Sequence, residues 1–103
     1  MIQPDQIKKV VNLIVKHINP EKIILFGSYA YGKPNKGSDL DLLIIKEMNI
    51  PRYKRGREVR KYLRGLAIPM DLIVYTNHEI EKWQNVDEAF ITQVIKKGKI
   101  LYG

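Results

Sequence analysis

The sequence predicts a small α/β (α+β) fold in which a mixed sheet of three or four strands packs against helices. Short apolar runs rich in isoleucine and leucine predict buried strands, and the segments between them carry apolar residues at helical spacing. Glycine, proline and asparagine separate these segments. The alternation of helix and strand favours helices layered on a sheet. We find no internal repeat and no low-complexity linker, so residues 1–103 are expected to form a single domain.

The first half of the chain predicts helix, strand, short helix and strand in that order. Apolar residues recur at helical spacing over Pro4–Ile18, and the following Asn19-Pro20 ends this helix. Lys22–Phe26 is a short apolar run that predicts a buried strand. Ser28 is then expected to be the N-cap of a short helix that runs through Tyr31. After a loop, a second strand is expected over Ser38–Ile45.

The second half predicts helix, strand and a final helical region. The helix is expected over Arg52–Leu66, with an inner face made by Tyr53, Gly56, Val59, Leu63 and Leu66. Pro69–Tyr75 predicts the third strand. A helical region in one or two pieces follows from Asn77, and its apolar residues are Trp83, Phe90, Ile91, Val94 and Ile95. Ile100–Tyr102 is expected to add a short edge strand.

Composition restricts the classes of protein that this chain can represent. With 45% hydrophobic and 28% charged residues it has the composition of an ordinary globular protein. The absence of cysteine excludes disulfides, thiolate metal sites and a cysteine nucleophile. No apolar run approaches the ~18 residues that span a membrane, and the first residues lack a signal-peptide pattern. We therefore expect a soluble, cytoplasmic protein that does not insert into membranes.

The formal net charge is +7, and much of it comes from one stretch. Between Arg52 and Arg64, seven basic residues face a single acidic residue, Glu58. A solvated helix face explains this pattern without any function. An acidic protein partner or a polyanionic substrate, such as a nucleotide or RNA, explains it equally well.

Two features near the strand ends carry the candidate chemistry. Gly27 and Ser28 follow the first strand directly, and a glycine before a helix start lets a phosphate approach the backbone amides. Asp39 and Asp41 project from the same face of the second strand, because strand side chains alternate. Two adjacent carboxylates repel each other, and a divalent cation with oxygen ligands removes that repulsion. A structural Gly-Ser turn and a solvated strand start are the alternatives.

A third carboxylate interrupts the next apolar strand. Asp71 lies about thirty residues after the first pair, within Met70–Val74. If this strand neighbours the second one, Asp71 completes a three-carboxylate cluster. Such a cluster suits two-metal nucleotidyl or phosphoryl transfer. The alternative is a structural aspartate at a strand start.

These residues together resemble the signature of the DNA polymerase β-like nucleotidyltransferase superfamily. The motif reads Gly27-Ser28-x-x-x-Gly32, then five residues, then Ser38-Asp39-x-Asp41-Leu42. It covers Ile23–Ile45, and Asp71 falls where the family places its third carboxylate. The short length resembles the minimal nucleotidyltransferase branch of that superfamily, which implies its small nucleotidyltransferase fold.

The resemblance implies a role for each matching residue. Asp39 and Asp41 would bind Mg²⁺ and the phosphates of a nucleoside triphosphate such as ATP. Asp71 would complete the metal site, which holds two ions in the family, and would help to activate the acceptor hydroxyl. Gly27 and Ser28 would hold the terminal phosphates. A hydroxyl would then attack the α-phosphorus and release pyrophosphate.

The match has one addition and one departure. Ser38 is implied to shape the turn into the second strand and to belong to the nucleotide site. Many minimal members carry an arginine in the short helix, whereas this chain has Tyr29-Ala30-Tyr31 there. One charged phosphate contact is therefore in question, and Lys33 or Lys36 could supply it.

The resemblance also implies a partner. Small members of this branch often pair with an all-helical HEPN-type toxin, and they can adenylylate a tyrosine on it. Three functions follow: an antitoxin enzyme, a non-catalytic antitoxin that blocks its partner by contact, and a basic RNA-binding domain. The last ranks lowest because the basic residues are not interleaved with aromatic residues for base stacking. A homo-oligomer is compatible with all three.

Overall fold

The computed structural model describes all residues from 1 to 103 and contains one sheet and five α-helices. The strands are β1 Lys22–Phe26, β2 Leu40–Ile45, β3 Met70–Tyr75 and β4 Lys99–Tyr102. The α-helices are α1 Pro4–Ile18, α2 Ser28–Tyr31, α3 Arg52–Arg60, α4 Asn77–Trp83 and α5 Phe90–Lys97. A 3₁₀ turn, Lys61–Leu63, continues α3. The predicted order of elements is confirmed, and the final helical region is two helices.

The sheet is mixed, with the strand order β3-β2-β1-β4. Strand β1 pairs antiparallel with β2 and β4, whereas β2 pairs parallel with β3. Two apolar clusters cover its two faces. One contains Val10 and Ile14 of α1, and the other contains Ile91 and Val94 of α5. The expected fold class, a mixed sheet packed against helices, is confirmed.

Two predicted boundaries differ from the observed ones by more than one residue. Strand β2 begins at Leu40 rather than at Ser38, because Ser38 belongs to the preceding turn. In that turn the Asn35 backbone N–H donates to Ser38 Oγ at 3.0 Å. Helix α3 ends at Arg60 rather than at Leu66, and the 3₁₀ turn then brings Leu63 into the core.

Helix α3 covers the outer edge of β3. The carbonyls of Pro69 and Tyr75 accept hydrogen bonds from the β2 side, so those of Met70, Leu72 and Val74 point away from β2. Arg60 Nη2 donates to the Met70 carbonyl at 3.1 Å, and Arg55 Nη1 donates to that of Val74 at 3.2 Å. Gly56 lies over the Leu72 carbonyl. This arrangement protects an edge that would otherwise be open to pairing with another strand.

The prediction that Tyr53 lies on the inner face of α3 was wrong. The side chain of Tyr53 is 82% exposed. The helix turns Arg55, Gly56 and Val59 toward the sheet instead, because the edge carbonyls of β3 need donors and close approach rather than an aromatic ring. A prediction from apolar spacing places arginine at the surface, so it chose Tyr53 rather than Arg55 as the buried residue.

We expect Gly56→Ala to destabilise the protein. A Cβ at this position would lie 2.8 Å from the Leu72 carbonyl oxygen, which is held in the strand. The usual gain of about 1 kcal/mol for replacing a helical glycine with alanine should therefore become a loss of roughly 1–3 kcal/mol. Urea unfolding measures this difference. The exposed neighbour Lys54, replaced with alanine, is the control and should change the free energy of unfolding little.

Arg55 and Glu79 form a partly buried ion pair that joins α3 to α4. Arg55 Nη1 lies 2.6 Å from Glu79 Oε1, and the two side chains are 9% and 25% exposed. Arg55 Nε also donates to the Ile50 carbonyl at 3.0 Å. Glu79 accepts the Thr76 backbone N–H at 2.8 Å within a capping box at the start of α4. Burial alone would raise the pKa of Glu79, but the hydrogen bonds from Arg55 and Thr76 outweigh it and hold that pKa below its ordinary value.

This pair predicts an acid-sensitive contribution to stability. Because the pKa of Glu79 is lower in the folded protein, its stabilisation is present above the unfolded pKa and is lost as pH falls through the folded pKa. Glu79→Gln should therefore destabilise the protein at pH 7 and should flatten the loss of stability on acidification. Arg55→Met should destabilise by about 2–3 kcal/mol, since it leaves a partly buried carboxylate unpaired. Thermal unfolding between pH 3 and pH 7 measures both effects.

Several large apolar side chains lie at the surface rather than in the core. Phe90 is 55% exposed, Trp83 is 40% exposed and Ile95 is 39% exposed. Ile91 and Val94 are the residues of α5 that face the sheet, because helical spacing lets only one stripe do so. None of the helices is both long and apolar enough to span a membrane.

Candidate active site

The turn between β1 and α2 depends on Gly27. Its backbone has φ 75° and ψ −157°, a region essentially restricted to glycine. Gly27 is the N-cap of α2, and its carbonyl accepts the Ala30 and Tyr31 backbone N–H groups at 3.0 and 3.1 Å. The prediction of Ser28 as the N-cap was wrong, because Ser28 is already the first helical residue. Its backbone N–H stands at the helix start, where helix geometry supplies no partner.

Gly27 also makes room for a carboxylate. Strand pairing places Phe26 opposite Asp41, so the turn lies beside the start of β2. A Cβ built on Gly27 would lie 3.0 Å from Asp41 Cγ and closer still to Oδ2. The carboxylate of Asp41 therefore occupies the space that any other residue at position 27 would fill.

The register of the parallel strands brings Asp41 and Asp71 together. Asp41 of β2 is paired directly with Asp71 of β3, so their side chains lie side by side on one face of the sheet. Asp39 precedes β2 and is exposed, as is Asp71, whereas Asp41 is half-buried. The condition set by the sequence, that the strand of Asp71 neighbours that of Asp41, is met.

Asp41 is the carboxylate of this group whose pKa is shifted by its surroundings. Burial raises the pKa of Asp41, and the negative charges of Asp71 and Asp39 raise it further. Carboxylate oxygens are ligands that Mg²⁺ prefers, and a cation would offset the repulsion. The donor set therefore fits a divalent ion. No three histidine, cysteine, aspartate or glutamate side chains are grouped in a way that could hold a metal ion in this structure. The metal assignment stays a prediction.

The other predicted site residues lie around this group. Ser38 stands one residue before Asp39 and stabilises the turn through Asn35, and a direct contact with nucleotide stays a prediction. Tyr29 packs against the core, and its hydroxyl accepts the Ile2 backbone N–H at 2.9 Å. Lys33 and Lys36 are exposed in the loop that connects α2 to β2.

A groove of about 540 Å³ runs between α3 and β3 on the side of Asp71, and we call it the arginine groove. It is lined by Arg52, Tyr53, Gly56, Arg57, Arg60, Leu72 and Ile73. The basic stretch is evident in the sequence, but the grouping of three of its arginines around one groove was not predicted. The signal was present in the spacing, because positions 52, 56 and 60 recur every four residues and share one side of a helix.

The chain matches a family model described as "Polymerase beta, Nucleotidyltransferase" over residues 8–103. Two relatives from Methanocaldococcus jannaschii are provisionally named protein adenylyltransferases. The first is 34% identical to this chain, over 90% of this chain and 89% of its own length. The second is 30% identical, over 99% of this chain and 100% of its own length. The protein adenylyltransferase MntA of Shewanella oneidensis is 25% identical over 92% of this chain and 63% of its own length.

The chain also resembles part of a much longer protein and two solved structures. Caffeine-induced protein 16 of Schizosaccharomyces pombe is 40% identical over 62% of this chain. The matched part is 6% of the length of that protein. A crystal structure of a provisionally named nucleotidyltransferase from Sulfolobus solfataricus has a TM-score of 0.65, with 22% identity over 95% of this chain and 78% of that one. A mutant MntA–HpeT toxin–antitoxin structure has a TM-score of 0.57, with 21% identity over 93% of this chain and 72% of the matched chain. These two likenesses show the same fold.

Proposed function

The chain belongs to the polymerase β nucleotidyltransferase family, and from this premise we propose that it transfers AMP from ATP to a hydroxyl of a protein acceptor. The acceptor is a tyrosine of a HEPN-type helical toxin, which the modification neutralises in the cytoplasm. The observation that carries the proposal is the pairing of Asp41 with Asp71 beside Gly27. An apolar sheet gains no stability from two adjacent carboxylates, so their position favours chemistry with a cation and phosphates.

Each residue of the site has a role in this reaction. Asp39, Asp41 and Asp71 would hold Mg²⁺, two ions in the proposed complex, and the metal would supply charge stabilisation for the phosphates. Gly27 and Ser28 present backbone N–H groups to the terminal phosphates at the start of α2. Ser38 fixes the turn that delivers Asp39 to the site.

The transfer exchanges one bond to phosphorus for another. The acceptor oxygen forms a bond to the α-phosphorus, and the bond from that phosphorus to the oxygen bridging it to the β-phosphorus breaks. Pyrophosphate leaves with that oxygen. Asp71, the more exposed carboxylate of the pair, accepts the proton of the attacking hydroxyl.

The names of the relatives support the protein acceptor. MntA is named a protein adenylyltransferase, and the MntA–HpeT structure is described as a toxin–antitoxin pair. Asp39 and Asp71 are exposed, so the acceptor can bind at the open surface beside the carboxylates. A domain of this kind that blocked its partner by contact alone would have no need of the three carboxylates.

Neutralisation of the toxin partner tests the proposal against simple blocking. The toxin, with a measurable nuclease activity, is incubated with this protein, ATP and Mg²⁺. We expect its inhibition to require ATP and to disappear in Asp39→Ala and Asp41→Ala, with a mass increase of one AMP on a tyrosine of the inhibited toxin. Full inhibition by both variants without a mass change would overturn the enzyme in favour of contact blocking.

A further inference from the structure

The arginine groove lies alongside β3, and its lining residue Leu72 directly follows Asp71 in the strand. Arg60 donates to the carbonyl of Met70, the residue directly before Asp71, so this end of the groove adjoins the candidate site. At the other end Arg52 stacks over the ring of Tyr75, with its guanidinium carbon 4.7 Å from the ring centre. Arg52 and Arg60 are ~12 Å apart along the helix, and Asp71 and Tyr75 are ~13 Å apart along the strand. The groove therefore has the length of about four extended residues.

The positive charge of the groove is not neutralised within the chain. Arg55 of the same helix pairs with Glu79, and Lys61 pairs with Glu58, but neither basic residue lines the groove. Arg57 is exposed and takes part in none of the ion pairs. No acidic residue is present in the lining. Three guanidinium groups thus line the groove together with Leu72 and Ile73 of β3. The Leu72 side chain is buried in the core, so Ile73 is the apolar β3 side chain that a ligand can contact.

We propose that the arginine groove binds an acidic, extended segment of the acceptor protein and directs its hydroxyl-bearing residue to Asp71. This inference rests on the proposed function, since that function requires a protein acceptor. Carboxylates of the segment pair with Arg52 and Arg57, and an apolar side chain contacts Ile73. Guanidinium groups suit this task because their planar fork binds a carboxylate through two hydrogen bonds.

The charge distribution favours an acidic peptide over RNA. Beyond Arg60 a ligand comes near Asp71 and Asp41, which repel any anion that is not bridged to them by a cation. A peptide brings a neutral tyrosine hydroxyl to that end and keeps its acidic residues along the arginines. An RNA strand carries a phosphate beside each hydroxyl and would bring negative charge to the carboxylates. Tyr53 is exposed at the groove, so an aromatic ring does lie among the basic residues, and the test therefore includes RNA.

Binding is measured with two fluorescent probes, a random copolymer of glutamate and tyrosine and a single-stranded oligouridine. The protein carries Asp41→Asn in every sample, so that no chemistry obscures binding. The groove variant combines Arg52→Gln with Arg57→Gln. Its matched control combines Lys9→Gln with Lys16→Gln, which removes the same charge from exposed positions of α1. Thermal unfolding confirms that both double variants are folded.

We expect the groove variant to bind the glutamate–tyrosine copolymer at least about tenfold more weakly and the control to lose less than about twofold. Restoring charge with Arg52→Lys and Arg57→Lys should recover part of the affinity. Equal losses in the groove variant and the control would overturn the proposal, as would tighter binding of oligouridine that depends on the same arginines. Arginine-dependent copolymer binding without any AMP transfer by the wild-type protein would support the groove and contradict the proposed reaction.

Discussion

Replacing Asp41 with asparagine is expected to abolish AMP transfer while making the protein more stable. Transfer should fall by at least about 100-fold, because losing a metal ligand costs more than losing the groups behind it. Stability should rise in the absence of divalent cations, since the substitution removes a half-buried charge that Asp71 and Asp39 repel. A residue kept for structure would show the opposite effect on stability. Label transfer and thermal unfolding with EDTA measure the two effects.

The pH dependence of this stabilisation has a definite sign. The pKa of Asp41 is raised on folding by burial and by its two neighbours. The stability linked to this raised pKa is present below the unfolded value and is lost as pH rises through the folded one. The advantage of Asp41→Asn should therefore be present at pH 7 and should vanish near the ordinary aspartate pKa of about 4. Glu81→Gln, at an exposed position without an ion pair, is the control. A stability advantage that persisted unchanged below pH 3 would contradict this explanation.

Gly27→Ala is expected to damage both the fold and the reaction. The backbone conformation, with φ 75° and ψ −157°, costs a non-glycine residue about 1–3 kcal/mol. The added Cβ would also displace the Asp41 carboxylate, whose Cγ would lie 3.0 Å away. We expect the unfolding free energy to fall by at least this amount. Transfer should fall by more than 100-fold even in the molecules that remain folded, on the order of the effect of misplacing a reacting group by 1 Å.

A second glycine provides the control for this prediction. Gly37 lies in the neighbouring loop, and a Cβ there would meet only Asn35 Oδ1 at an ordinary 3.5 Å. Gly37→Ala should leave both stability and transfer close to those of the wild-type protein. If Gly27→Ala unfolds the protein at assay temperature, measurement at 10 °C preserves the comparison. Normal transfer by folded Gly27→Ala would show that the turn and Asp41 do not act together.

Local sequence patterns predicted the parts of the fold that local forces determine. Lys22–Phe26 and Leu42–Ile45 are apolar because both faces of the central strands are covered, and their alternation with helices predicted the mixed sheet. Strand geometry also predicted that Asp39 and Asp41 share a face of the second strand, but β2 begins at Leu40, so Asp39 lies just before it. The pairing of Asp41 with Asp71 could only be stated as a condition, because register between strands depends on contacts that are distant in sequence.

Tertiary contacts explain what the sequence did not reveal. Gly27 rather than Ser28 caps α2, because the chain must pass the Asp41 carboxylate at that point. Arg55 rather than Tyr53 faces the interior, because α3 lies on a strand edge whose carbonyls need donors. The arginine groove depends on the same packing. In each case a polar group of another element decides the orientation, and apolar periodicity carries no information about it.

The proposed reaction transfers a nucleotidyl group. The most direct test distinguishes this transfer from transfer of a phosphoryl group and from no transfer at all. ATP labelled with ³²P at the α-phosphorus and ATP labelled at the γ-phosphorus are each incubated with this protein, Mg²⁺ and the proposed toxin partner. We predict that label from the α position becomes covalently attached to the toxin, that label from the γ position leaves as pyrophosphate, and that Asp71→Asn loses the transfer. Attachment of γ-label, or of neither label while the toxin is still neutralised, would contradict the account.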